Sequence, residues 1–168
     1  MAKILLPIED KRYGEAQVDF LSKHEFSKDT EITLMSVLKP LPVQDYGFAV
    51  PAAYLDAILK EDERAAKSIL ETMEKKLKER FPELKTSRLI EMGSPAGEII
   101  REAKEGEYDW IILGSHGRTG LDRFFLGSVS QSVCNHAHCS VTIVRLPESS
   151  KNKKKDMEEK VEAKAGSK

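Results

Sequence analysis

Two patterns alternate along this chain. Short runs of aliphatic and β-branched residues recur at Ala2 to Ile8, Glu31 to Leu38 (EITLMSVL), Lys85 to Met92, Asp109 to Leu113 and Ser140 to Leu146 (SVTIVRL). The first and fourth are nearly unbroken apolar stretches, which predicts strands covered on both faces, as in a parallel sheet. Helical spacing fills the gaps. Tyr13 to Phe26 carries Ala16, Val18, Phe20 and Leu21, and predicts a helix. A longer stripe of Leu55, Ile58, Leu59, Ala66, Ile69, Leu70, Met73 and Leu77 predicts a second, ending at Phe81 before Pro82. Ser94 and Pro95 mark the start of a third, as N-cap and first helical residue, with Ala96, Ile99, Ile100 and Ala103 as its apolar face. Ser128 to Ala137 supplies a fourth. Lys39 to Tyr54, with Pro40, Pro42, Gly47 and Pro51, reads as a loop, either a binding lid or a passive excursion.

The alternation βαβαβαβαβ predicts an α/β fold: a five-stranded, mostly parallel sheet with helices on both faces, of flavodoxin-like or Rossmann-like type. At 168 residues, with 40% hydrophobic and 33% charged residues, the chain suits one globular domain with a substantial core. The domain is expected over residues 1–147. From Glu148 to Lys168 the composition shifts to seven lysines, five acids and no aromatic residue, which predicts a solvated, disordered tail. A net charge of −1 gives no bias toward nucleic acid or anionic membrane, and neither is expected as a partner. No apolar run approaches the ~20 residues of a bilayer span. Two cysteines are no disulfide framework, so a cytoplasmic setting is expected by elimination.

Chemistry concentrates between the fourth strand and the last helix, in GSHGRTGLDRFFLGSVS from Gly114 to Ser130. Glycines directly after a strand let backbone N–H groups approach a ligand. The helix opening at Ser128-Val129-Ser130 offers free N–H groups and a positive dipole end to a phosphate, with Arg118 and Arg123 as nearby cations. In an open α/β sheet the ligand crevice lies at the carboxyl ends of the strands where their order reverses, here expected between the first and fourth strands. Taken alone, such a loop also serves as an ordinary turn, and Ser128-x-x-Gln131 also reads as a capping box. The spacing is neither a Walker loop nor a dinucleotide fingerprint.

Gly114-x2-Gly117-x9-Gly127-Ser128 is similar to the nucleotide-binding signature of the ATP-binding universal stress proteins. Gly93-Ser94-Pro95-Ala96, His136-Ala137-His138-Cys139 and the opening Ile4-Leu5-Leu6-Pro7 resemble the same family, so the likeness runs from about Ala2 to Pro147. The resemblance implies a fold of the adenine nucleotide alpha hydrolase-like type and a dimeric, ATP-binding stress sensor or regulator without assigned catalytic residues. It implies that the backbone around Gly114, Gly117, Gly127 and Ser128 holds phosphates and ribose, with Val129 and Ser130 also at the phosphates. It implies that Pro7, Ile8 and Glu9 face the nucleotide, that Val37 meets the adenine through its backbone, and that Leu113, His116 and Arg118 complete the site. A divalent cation, Mg2+ or Mn2+, is left open beside the ATP. A homodimer paired through the last strand, Ser140 to Leu146, is also implied.

The chain departs from the family in carrying Glu9, with Asp10 beside it, where aspartate is usual, and Ser36 where many relatives have histidine. A slow Mg-dependent ATP hydrolase using Glu9, and an interaction protein of the same fold without nucleotide, stand as alternatives. Cys134 to Cys139 holds four candidate metal ligands, but crosses from helix end to strand and is read as structural, with Cys139 a buried small hydrophobe. His24 has no discernible partner in the sequence.

Overall fold

A computed structural model describes residues 2–40, 51–115 and 126–146. The chain order is β1 (Lys3–Pro7), α1 (Lys11–Leu21), β2 (Glu31–Leu38), α2 (Ala52–Arg80), β3 (Lys85–Met92), α3 (Pro95–Glu105), β4 (Trp110–Gly114), α4 (Ser128–His136) and β5 (Ser140–Val144). All strand pairs are parallel, in the order β3-β2-β1-β4-β5. That is the Rossmann-type order, and it sets the reversal between β1 and β4.

Successive strand residues point to opposite faces, and this divides the core in two. Ile4 and Leu6 of β1, Ile32 and Leu34 of β2 and Ile112 of β4 pack with Val18 and Leu21 of α1 and Leu70, Met73 and Leu77 of α2. On the other face Leu5, Met35, Ile111 and Leu113 pack with Ile99 and Ala103 of α3 and Val133 of α4. The apolar runs of β1 and β4 thus serve both layers at once, which is why they lack polar alternation.

Element ends deviate from the sequence pattern for local reasons. Asp10 caps α1, its Oδ1 accepting from Tyr13 N at 2.9 Å, so this helix starts at Lys11 and closes at Leu21. β5 ends at Val144 because its partner β4 ends at Gly114, the last residue of their register. The α2 stripe holds Leu70, Met73 and Leu77 fully buried, whereas Leu55, Ile58 and Leu59 are only partly so. A helix of 29 residues is about 43 Å long, well beyond the roughly 26 Å of an eight-residue strand. Its first turns therefore outrun the sheet. His24 does have partners: Nδ1 lies 2.9 Å from the Phe20 carbonyl oxygen, and its ring sits beside Phe20 and Trp110. No helix among the described residues is long and apolar enough to cross a membrane.

Candidate functional site

At the carboxyl ends of β1 and β4 the chain leaves the sheet in opposite directions, α1 to one face and α4 to the other. The gap between them is a cleft with about 610 Å3 of empty space, its open mouth included. Eight of the residues expected at the site line it: Pro7 closing β1 with Ile8 and Glu9 after it, Val37 in β2, Leu113 and Gly114 closing β4, and Val129 and Ser130 in α4. Gly127 and Ser128 adjoin the cleft but do not line it. His116, Gly117, Arg118 and Arg123 lie outside the described residues, as do residue 147, the tail 148–168 and residues 41–50 of the expected loop, whose last residues belong to α2.

Each wall has a distinct origin. β1 ends its register at Pro7↔Met35, and Ile8 N donates to the Met35 carbonyl oxygen at 2.7 Å. β2 continues to Leu38, whose carbonyl oxygen turns to the other side and accepts from Gly93 N at 2.9 Å. Alternation therefore aims the N–H and C=O of Val37 the same way as those of Met35, past the end of β1 and toward the cleft. Met35, Val37, Ile99, Leu113 and Val129 make an apolar slot, with Glu9 and Lys39 exposed at its rim.

The opposite end is built by β4 and α4. Ser115 N donates to the Val144 carbonyl oxygen at 2.9 Å, and the Ser115 carbonyl oxygen accepts from Gly127 N, also at 2.9 Å. One backbone bond thus pins together the two ends of the segment between them. Gly127 is the N-cap of α4, and Gln131 N is the first to bond back, to Gly127 O at 2.9 Å. The N–H groups of Ser128, Val129 and Ser130, at the first three helical positions, consequently have no acceptor inside the helix. They carry the positive end of its dipole.

The structure corrects one local reading and adds detail at two other positions. Ser128 is not an N-cap, and α4 has no side-chain cap hydrogen bond, so no capping box forms. The Ser130 hydroxyl proton is committed, donated to the Gly114 carbonyl oxygen at 2.7 Å, which leaves the backbone N–H as this residue's donor for a phosphate. Gly114 lines the cleft, and the place its Cβ would take is filled by protein. A Cβ there would lie 2.7 Å from Cδ1 of Tyr13, whose hydroxyl stands 3.3 Å from the Ser115 Oγ. Asp10 is occupied as the α1 cap and pairs with Arg12 at 3.7 Å, so of the adjacent acids Glu9 is the one at the cleft. Tyr13, Met35, Lys39, Pro95 and Ile99 also line the cleft, and sequence reasoning missed all five in that role. Only strand order, which no local pattern encodes, brings them there.

Among the described residues no group of three or more His, Cys, Asp or Glu could hold a metal. Cys134 is exposed, the His136 Nδ1 lies 2.8 Å from Ser132 O, and Cys139 packs against the α3–α4 layer. Burial pushes the Cys139 thiol up, and the Asp109 charge adds to it.

The model of the universal stress protein family matches residues 1–145. The chain is 38% identical over 96 residues to the universal stress protein YxiE of Bacillus subtilis, covering 57% of this chain and 64% of that one. It is 27% identical over 154 residues to the universal stress protein MJ0577 of Methanocaldococcus jannaschii, covering 85% and 94%. For some curated relatives the match spans much less of their length, 32% for MJ0531 of the same organism. The solved structure of MJ0577 superposes with a TM-score of 0.74 at 25% identity, over 88% of this chain and 97% of that one. The fold is shared at lower identity by a family protein from Arabidopsis thaliana with AMP bound, TM-score 0.62 at 19% identity over 89% of this chain and 95% of that one. It is shared too by the universal stress protein from Archaeoglobus fulgidus in complex with dAMP, TM-score 0.58 at 18% identity over 86% and 98%.

Proposed function

This chain belongs to the universal stress protein family, and we propose that it binds an adenine nucleotide, ATP, in the cleft between β1 and β4. One observation carries the reading. An apolar slot ends on the backbone pair of Val37 and, at its other end, on the N–H groups of Val129 and Ser130 in the first turn of α4, with that of Ser128 adjoining. The former suits the donor–acceptor edge of a base, the latter a phosphate. That relatives of this fold carry AMP and dAMP supports the choice of base. Gly117, His116 and Arg118 belong to the same proposed site. The site residues suit a divalent cation only sparingly: such an ion takes oxygen ligands and shares phosphates, and Glu9 is the one described carboxylate in the lining. Any Mg2+ or Mn2+ would be held by Glu9 and the nucleotide together.

The role that follows is that of a nucleotide-responsive stress regulator, a homodimer paired through β5 and residues 145–146. The free cysteines suit a reducing, cytoplasmic setting. The charged segment from residue 148 is a separate tail in this reading, and no chemistry is assigned to it.

The test is chromatography of the nucleotide released on denaturing the purified protein, followed by titration of the stripped protein with ATP and AMP, with and without Mg2+. Binding in both nucleotides supports the site; ATP alone supports phosphate discrimination at α4. Gly127→Asp separates binding from folding. Asp is a good N-cap and should leave α4 stable, or raise its stability by a few tenths of a kcal/mol, while its carboxylate repels phosphate from the adjacent N–H groups. Unchanged affinity in that variant would remove α4 from the site.

A further inference from the structure

β1 and β4 are joined over only two residue pairs, Ile4↔Trp110 and Leu5↔Ile111, although β1 pairs with β2 over five. Beyond Leu5 the two central strands part, and the cleft opens above the fork. Parting leaves buried carbonyl groups without their ladder partners, a costly state inside a protein.

Gln17 stands in that fork. It is the α1 residue one turn after Tyr13 and one turn before Leu21, and it is fully buried. Its Nε2 donates to the Pro7 carbonyl oxygen at 2.9 Å and to the Ile112 carbonyl oxygen at 2.7 Å. One nitrogen with two N–H groups thereby bridges both strands. Both neighbours are acceptors, so the amide nitrogen must face them and the oxygen must face away. Among the described residues Gln17 Oε1 has no hydrogen-bond partner. A buried acceptor left unmatched costs stability, but an apolar side chain would remove that cost only by leaving the Pro7 and Ile112 carbonyl oxygens unmatched instead. Glutamine thus ties the two strands together through the acceptors that their parting exposes.

We infer that Gln17 is a positioning residue for the nucleotide site, fixing the distance between its β1 and β4 walls. Pro7 lines the cleft, and so do Leu113 and Gly114, which directly follow Ile112; the two accepting carbonyls sit at the base of opposite walls. Tyr13 extends the same brace one turn higher, its ring against Gly114 and its hydroxyl at Ser115. No other neutral side chain of this length offers two protons from one atom: glutamate has none to give when ionised, and methionine or leucine gives none. A wall spacing fixed before the ligand arrives spares the ligand the work of ordering it. This role rests on the proposed nucleotide binding.

The test pairs the wild-type chain with Gln17→Met, which keeps volume and loses both donors. With both proteins folded by circular dichroism, the affinity of Gln17→Met for ATP should fall about ten-fold or more, at a temperature well below its unfolding midpoint. A second measurement needs no variant. The side-chain amide resonances of Gln17 in the wild-type protein should shift on saturation with ATP and exchange with solvent more slowly, which a residue that only supports the core would not do. Equal affinity in Gln17→Met, or Gln17 resonances unmoved by bound ATP, overturns the positioning role and leaves nucleotide binding standing. Failure of the wild type to bind ATP or AMP overturns the binding reading itself, and this role with it.

Discussion

At the residue scale, Gly114 shows how a glycine can matter for a reason other than ligand access. Its position after a strand suggests close approach of a phosphate, but the Tyr13 ring fills the space a Cβ would take. The 2.7 Å approach is to a ring wedged between helix and strand, which has little room to yield. Gly114→Ala is expected to cost roughly 1–3 kcal/mol through overpacking, read by urea denaturation, and Tyr13→Ala in the same chain should recover part of that loss. Additive effects of the two changes would show that the ring and the glycine are independent. Asp10 and Glu9 carry a similar lesson. Two adjacent acids look interchangeable in the sequence, and only the 2.9 Å bond from Tyr13 N to Asp10 Oδ1 assigns one to the helix and the other to the cleft.

At the element scale, the strands were legible where burial is one-dimensional. β1 and β4 are apolar on consecutive positions because both faces are covered. Helix ends were less legible because they depend on single contacts. The end of α3 illustrates this. Tyr108 N donates to the Ala103 carbonyl oxygen at 2.9 Å and Glu107 N to that of Lys104 at 3.2 Å, the paired closure of a Schellman motif. The motif needs a left-handed residue after the cap, and that residue is Glu107, with φ 54°. Glutamate there carries a steric cost that glycine avoids. Glu107→Gly is therefore expected to stabilise the protein by about 0.5–1 kcal/mol, a rise of about 1–4 °C in Tm for a chain this size. A fall in Tm would mean that the side chain contributes more than its backbone costs.

At the scale of the whole molecule, the expected reversal between the first and fourth strands is where the sheet order places it, and the further side chains that this order gathers at the cleft were the part local patterns could not supply. Alternating elements announce a parallel sheet, but only the crossovers put β1 between β2 and β4, and only that placement brings Tyr13 and Gln17 to the site. The same order leaves β5 at an edge. Ser140 and Ser115, which flank the strand pair, both bond across the β4–β5 seam, and alternation from Ser140 turns the N–H of Val141 outward. If the chain dimerises through this edge, the wild type should sediment at twice the mass of one chain, and Val141→Pro, which removes that outward donor without touching the β4 ladder, should sediment as a monomer. A monomeric wild type would exclude the edge as a dimer contact. The sheet order also has a kinetic side. The two walls of the cleft come from strands about 100 residues apart in the chain, so β1 must wait for β4 before the fork between them exists. A ligand that needs both walls finds nothing to hold in a half-formed protein. Its stabilisation should accordingly act as a brake on unfolding, while the rate of folding passes almost unaltered.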